Sequence, residues 1–199
     1  MTLSENIQTG AKALGISEKD GLAGQLEKFL LLLSRWNRVS NLSGIKDLNK
    51  MVSAHLMDSL SVWPFITGKT VLDVGSGAGF PGMPLAILYP KKSFTLLDSN
   101  GKKTRFIQQA VIDLKLTNVE VIHARVETLE TKFDHVISRA FGSLELFVSM
   151  CEQHTEKGGN LLAMKSNKTE NLGGREMNVH KLSVPGVESE RYLMLIPAD

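Results

Sequence analysis

The 199-residue chain predicts an α/β fold, a seven-stranded and mostly parallel sheet preceded by a helical N-terminal extension. Three observations predict it. After Gly68, short runs rich in Val, Ile and Leu alternate with helical stretches. Those runs do not alternate apolar with polar, as is typical of strands buried on both faces. Glycines cluster directly after the first run, in Gly75-Ser-Gly77-Ala-Gly79.

The first third reads as helix. A short helix is expected from Asn6 to Leu14, closing at Gly15. From Leu22 to Val39 the residues Leu22, Leu26, Phe29, Leu30, Leu33 and Trp36 recur at helical spacings. Asn41-Leu-Ser-Gly44 breaks that rhythm. A further helix is expected from Asp47, its N-cap, to Trp63, with Met51, Leu56, Leu60 and Trp63 apolar; Pro64 and Gly68 end it.

Seven strands follow: Thr70–Val74, Ser93–Asp98, Val119–Ile122, His135–Ser138, Asn160–Met164, Val179–Val184 and Arg191–Ile196. Helices are expected over Pro84–Leu88, Lys102–Leu116 and Leu144–His154. The middle one carries Phe106, Ile107, Ala110 and Leu114 on one face. The last two strands are separated only by a Val184-Pro-Gly186 turn, so they should pair as an antiparallel hairpin. Ser166 to Asn178 is polar, contains Gly173-Gly174, and reads as a mobile loop. Residues 1–67 are thus read as a helical extension and 68–199 as the core, within one compact domain.

A hydrophobic fraction of 42% leaves enough apolar surface for a real core. A net charge of +2 does not mark a nucleic-acid binder, so any basic surface must be local. With Cys151 the single cysteine, a disulfide framework and a Cys-rich zinc site are excluded, and no metal is expected. The opening residues lack the pattern of a signal peptide. The longest apolar run, Phe29 to Leu33, is far short of the roughly 20 residues that span a bilayer. A soluble, cytoplasmic, monomeric protein with no membrane partner is expected.

Three readings compete for the glycine loop. Gly77-Ala-Gly79-Phe-Pro-Gly82 fits the dinucleotide pattern G-x-G-x-x-G, which needs its third glycine in a helix packed on the strand. Pro81 and Pro84 fit that requirement poorly. The second reading is D-x-G-x-G-x-G, with Asp73 two residues before Gly75, as in methyltransferases that use S-adenosylmethionine. The third is a structural turn. The second is preferred. Asp98, closing the next strand about 20 residues on, is placed for a ribose diol.

The methyl acceptor is read from what is missing. Carbon-5 of a pyrimidine needs a cysteine nucleophile, and Cys151 lies in a helix as a core residue. Exocyclic amines are served by an Asn/Asp-Pro-Pro-aromatic turn, whereas this chain has Ser138-Arg-Ala-Phe141. A ring nitrogen such as guanine N7 needs neither device, because positioning and electrostatics suffice. Arg139 suits guanine, whose O6 and N7 are acceptors. The functional role is preferred to its alternative, an ion pair with Glu127 or Asp98, and the two can coexist.

Several segments occur together in order: Trp36-Asn-Arg-Val-Ser-Asn-Leu-Ser43, His55-Leu-Met-Asp-Ser-Leu60, Val71 through Gly82, Leu96-Leu-Asp-Ser99, Lys102-Lys-Thr-Arg-Phe106, Arg125-Val-Glu127 and Ile137-Ser-Arg-Ala140. From about Leu22 to Ile196 the chain resembles the bacterial glucose-inhibited division protein B family. These are Rossmann-like methyltransferases that act on guanine N7 in the 530 loop of 16S rRNA. The resemblance implies S-adenosylmethionine as cofactor, and 16S rRNA or the small ribosomal subunit as partner. It implies cofactor contacts from Asp73, Gly75, Gly77, Gly79, Phe80, Asp98, Val126, Glu127 and Arg139. It also implies catalytic roles for Arg139 and Lys165, and RNA contacts from Asn41, His55, Lys102, Arg125 and Arg191. Three of the polar candidates have a plain structural counterpart: a cap for Asn41, a satisfied structural histidine for His55, a solvated face for Lys102. Phe80, Phe141 and Trp36 are candidate base stackers. Ala54, Ser166 and Ser40 depart from the arginine, glycine and aromatic residue that the family often has there. A methyltransferase for another base or a small molecule, and a non-catalytic RNA-binding module, remain the alternatives.

Overall fold

A computed structural model describes residues 1–17, 19–168 and 172–198. Residues 169–171, part of the expected mobile loop, lie outside the described residues. The strands are β1 (Thr70–Val74), β2 (Ser93–Asp98), β3 (Val119–His123), β4 (Phe133–Arg139), β5 (Thr155–Lys165), β6 (Asn178–Leu182) and β7 (Arg191–Pro197). They form one sheet in the order β3-β2-β1-β4-β5-β7-β6. Pairing is parallel from β3 through β5, while β7 is antiparallel to both β5 and β6. The expected terminal hairpin is therefore present.

Side chains alternate across the sheet with the strand period of two. Val71, Leu96, Ile137, Leu162 and Leu193 join a core that also takes Ile7, Phe29, Leu85 and Phe106. These last four come from α1 (Leu3–Ala13), α2 (Leu22–Ser40), α5 (Gly82–Leu88) and α6 (Gly101–Leu114). Leu72, Val74, Leu97, Val136 and Met194 point the other way, against Phe147 of α7 (Leu144–Cys151). Both faces are covered, which is why apolar residues occupy successive positions in the central strands. The first core runs from Ile7 to Leu193, so the N-terminal helices and the sheet share it.

The stretch expected as one helix from Asp47 to Trp63 is not regular. Asp47 does cap it, accepting from the Lys50 N–H at 2.8 Å. But α3 (Leu48–Met51) widens into a π-helical turn over Val52–Met57, and α4 (Asp58–Leu60) follows. The buried pairs Met51/Leu56 and Val52/Met57 are each five residues apart. An α-helix would rotate such pairs away from each other, and a π turn keeps them on one face. Along α2 the buried stripe ends on Asn37, with Trp36 partly exposed beside it.

From β1 the chain proceeds outward through β2 and β3, then returns to β4 on the other side of β1. The loops leaving β1 and β4 therefore diverge, opening a crevice at the carboxyl edge of the sheet. The Ser138 hydroxyl donates to the Val74 carbonyl at 2.7 Å and ties the two strands at that point. Among the described residues no helix is long and apolar enough to cross a membrane.

One expectation is corrected here. Gly82 does open a helix packed on the sheet, despite Pro81 and Pro84. A Cβ on Gly82 would lie 2.7 Å from Asp73 Oδ2 and 2.8 Å from Leu96 Cγ. The prolines are tolerated because they sit in the first turn or just before it, where no intrahelical N–H is needed. Gly82→Ala should therefore destabilise the protein by roughly 1–3 kcal/mol through overpacking. Urea denaturation measures this; an unchanged midpoint would mean that α5 moves freely off the sheet.

Candidate functional site

The loop after β1 is held from beneath. The Gly75 and Ser76 N–H groups donate to the Leu97 carbonyl at 2.8 and 3.1 Å, and the Gly77 N–H donates to Asp98 Oδ2 at 2.8 Å. Gly75, Gly77 and Gly79 all have positive φ, at 70°, 61° and 88°, a region that favours glycine. The four loop glycines nonetheless divide into two kinds. A Cβ on Gly75 would meet nothing within 4 Å, and one on Gly77 only the Gly75 carbonyl and the Lys103 ammonium, at 3.9 and 4.0 Å. A Cβ on Gly79 would collide with Met83, as one on Gly82 would with Asp73. Gly75 and Gly77 thus present an open backbone cradle, whereas Gly79 and Gly82 serve packing.

This alters three expected cofactor contacts. Gly79 faces the protein interior. Asp73 is fully buried, and its Oδ2 accepts from the Gly82 N–H at 2.8 Å. Burial pushes its carboxyl up to about 7. It pins the loop from below and offers no surface to a ligand. Phe80 is only 3% exposed and packs on Phe29. Asp98, itself only 6% exposed, ends β2 beside the cradle and is bonded to the loop backbone. Its Oδ1 accepts from the Asn100 N–H at 2.8 Å, and Lys103 Nζ lies 3.9 Å from Oδ2. Val126 and Glu127 follow β3 in a short 3₁₀ turn, the first buried and the second exposed. An open glycine cradle with a carboxylate bonded into it fits an adenosine-type cofactor.

Next to this loop, where β4 and β5 end and β7 begins, lies a cavity of about 500 Å³. Ala54, His55, Asp58, Arg139, Lys165 and Arg191 are among its lining residues. Of the described lining residues three are cationic and one, Asp58, is a carboxylate. Asp58 is buried, and it binds both arginines: Oδ2 accepts from Arg139 Nη1 and Oδ1 from Arg191 Nε, each at 3.0 Å. Arg139 thus pairs with neither Glu127 nor Asp98. Its Nη1 also donates to the Ala54 carbonyl at 3.2 Å, and its Cζ lies 5.1 Å from the centre of the Phe80 ring. Sequence reasoning did not assign Asp58, although the residue stands inside the His55–Leu60 motif.

His55 is engaged within the protein. Its ring stacks on Phe80 at 4.7 Å, with Nε2 2.7 Å from Ser43 Oγ and Nδ1 3.2 Å from the Ala54 carbonyl. The carbonyl can only accept, so Nδ1 carries the proton and Nε2 accepts from the Ser43 hydroxyl. Burial, reinforced by the Arg139 charge, lowers the imidazole to about 4. Ser43 is placed by Asn37, which accepts from the Ser43 N–H at 2.8 Å and donates to the Ser43 and Ile45 carbonyls at 2.8 and 3.2 Å. Asn37 also escaped sequence reasoning, because a polar residue in a helical stripe reads as surface.

The remaining candidates separate. Lys165 Nζ donates to the Gly142 carbonyl at 2.6 Å and the Phe141 carbonyl at 3.3 Å, joining β5 to the loop after β4. Arg191 Nη1 donates to Ser189 Oγ and the Glu190 carbonyl. Asn41 ends α2 in the left-handed conformation, at φ 50°. Lys102 and Arg125 are exposed on the β2–β3 side of the loop. Those three are not among the described residues lining the cavity. Of the candidate stackers, Trp36 packs on Phe106 and Phe141 on Phe147. Cys151 is buried, and burial followed by the Glu127 charge pushes its thiol up to about 12. That thiol is not a nucleophile near neutral pH.

Two measurements test this geometry. Asp98→Ala removes the carboxylate from the cradle, and calorimetry with S-adenosylhomocysteine should show affinity reduced at least ~10-fold; unaltered affinity would exclude the contact. For His55 the folded pKa of about 4 lies below the ordinary 6.5. The unfolded chain therefore takes up the proton first, so stability present above pH 6.5 is lost as pH falls toward 4. Replacing His55 by Phe should abolish that acid-side loss, which reaches about 2 kcal/mol by pH 5. Denaturation of both proteins at pH 7.5 and pH 5 reads it directly. Parallel pH profiles would contradict a buried neutral imidazole.

The chain is similar to known proteins over most of its length. A family model described as rRNA small subunit methyltransferase G matches residues 23–193. A protein named ribosomal RNA small subunit methyltransferase G from Marinomonas sp. (strain MWYL1) is 43% identical over 204 residues, covering 98% of each chain. One of the same name from Stutzerimonas stutzeri (strain A1501) is 45% identical, covering 97% of this chain and 94% of its own. Among solved structures, a SAM dependent methyltransferase from Aquifex aeolicus matches with a TM-score of 0.56 at 17% identity, over 75% of this chain and 93% of that one. That likeness speaks for the Rossmann-like methyltransferase fold. The family match runs from α2 to β7 and encloses both the cradle and the cavity, and the chain belongs to the rRNA small subunit methyltransferase G family.

Proposed function

We propose that this protein methylates N7 of a guanine in the 530 loop of 16S rRNA, using S-adenosylmethionine. The observation that carries the reading is Arg139, fixed at the end of β4 in a cation-rich cavity and lying against Phe80 of the glycine loop. The cofactor, when bound, supplies an electrophilic methyl group on a sulfonium. Gly75 and Gly77 would receive it along their open backbone, with Asp98 toward the ribose diol.

The work left to the protein is positioning. N7 carries a lone pair and needs no deprotonation, so no general base is required. Arg139 orients the base through O6, and Lys165 lines the same cavity from the neighbouring strand. The neutral imidazole of His55 backs Phe80 without adding positive charge beside Arg139. The buried, high-pKa thiol of Cys151 is consistent with chemistry that forms no covalent intermediate. A surplus of cations in the cavity suits phosphate and guanine together. The same reading places the protein in the cytoplasm, acting as a monomer on ribosomal RNA or the small subunit.

Primer extension after borohydride–aniline cleavage of 16S rRNA tests the reading. Cells lacking the protein should lose the N7-methylguanine stop within the 530 loop; a persisting stop would overturn the assignment. Arg139→Ala, restored to those cells, should leave methylation at least ~100-fold reduced with thermal unfolding of the purified variant still cooperative.

A further inference from the structure

We infer that Asp58 is a positioning residue for methyl transfer: its single carboxylate, shared between Arg139 and Arg191, holds the Arg139 guanidinium where the base is received. The inference rests on the proposed function and adds a role for a residue to which that reading gives none.

The geometry is specific. Arg139 is restrained by the Asp58 carboxylate at 3.0 Å, by the Ala54 carbonyl at 3.2 Å and by the Phe80 ring at 5.1 Å. The first restraint is an ion pair, and both hydrogen bonds leave from the same nitrogen, Nη1. The carboxylate side chain is 5% exposed, against 21% for Arg139 and 26% for Arg191. The acid is therefore the fixed centre, and the arginines are the parts that reach the cavity. The backbone under Asp58 is fixed as well. It begins α4 directly after the π turn, and its carbonyl accepts from the Ser61 hydroxyl at 2.6 Å. A rigid carboxylate with each oxygen committed to a different arginine sets the spacing between the two guanidiniums.

Removal of the charge has consequences of opposite sign. Asp58→Asn leaves two guanidiniums facing each other with no counterion, so Arg139 loses its fixed direction and turnover should fall. The same change makes the cavity more cationic by one unit, from +2 to +3 over the described lining residues. Affinity for a polyanionic RNA should then hold or increase. A residue that merely supported the fold would lower both together. The arginines are each partly exposed, so water can hydrate them when the acid is gone, and the fold should survive.

The test is steady-state methylation of small subunits or 16S rRNA from cells lacking the protein. Asp58→Asn should lower kcat ~30-fold or more with the RNA KM unchanged or reduced. Calorimetric affinity for S-adenosylhomocysteine should stay within about twofold. An unchanged kcat overturns the inference, and so does a joint loss of kcat, RNA affinity and cofactor affinity. If the Asn variant does not fold, Asp58→Glu decides, because it keeps the charge and displaces it by one methylene. A kcat lowered ~5-fold or more with KM held supports positioning, and a wild-type kcat overturns it. A wild-type protein unable to label this RNA would take down the functional reading and the inference together, whereas an active wild type with an indifferent Asp58→Asn removes the inference alone.

Discussion

The pairing of β1 with β4 is the constraint from which the site follows. Val71, Leu72 and Asp73 stand beside His135, Val136 and Ile137, and the loops leave that pair in opposite directions. Both ends of the pair are pinned. At the lower end His135 Nε2 accepts from the Thr67 and Gly68 N–H groups, and Asp134 Oδ2 accepts from those of Lys69 and Thr70. The Thr70 N–H is the main cause that holds the Asp134 carboxyl below the usual carboxylate range. At the upper end Ser138 bonds to Val74. With the pair fixed, the glycine cradle and Arg139 are neighbours by topology.

The space over that pair is organised by one chain of contacts with a neutral and a charged half. Asn37 places Ser43, Ser43 meets His55, and His55 stacks on Phe80. The same ring is approached by Arg139, bound to Asp58, which in turn binds Arg191. Phe80 belongs to the loop that forms the cradle, so a shift there is felt in both halves. The neutrality of His55 is a physical requirement of this arrangement. An imidazolium stacked on the ring that Arg139 also approaches would be desolvated and repelled at once. Burial and the arginine both act against that charge.

The sequence conveyed most clearly those features that depend on periodicity. β1 and β2 coincide with their apolar runs, since strands buried on both faces admit few polar residues. The glycine loop was legible because positive φ leaves a compositional trace. What glycine alone does not reveal is whether its missing side chain makes room for a ligand or for the protein. Gly75 and Gly79 are alike in sequence and opposite in use. Asp73 likewise reads as a ligand contact, yet it is sealed under the loop. Asp58 and Asn37 were hidden for another reason: a buried polar residue on a helix has the same local signature as an exposed one, and only its partners, 81 and 6 residues away, distinguish it. The π turn was missed because a five-residue apolar spacing looks like noise to a helical template.

Two of the three residues read as departures from the family resemblance border the site. Ala54 and Ser166 both line the cavity, and Ser40 ends α2. Where the family resemblance implies an arginine, Ala54 contributes through its carbonyl, which accepts from Arg139 and from His55 Nδ1. Those bonds are indifferent to the side chain. An arginine there would add a further cation to a wall that already carries three, without being needed to hold Arg139. Asp58 and the neighbouring backbone carbonyl are therefore enough to fix the guanidinium. A side chain at position 54 can therefore change how strongly the cavity attracts an anion, while the geometry of Arg139 is left to Asp58 and that carbonyl.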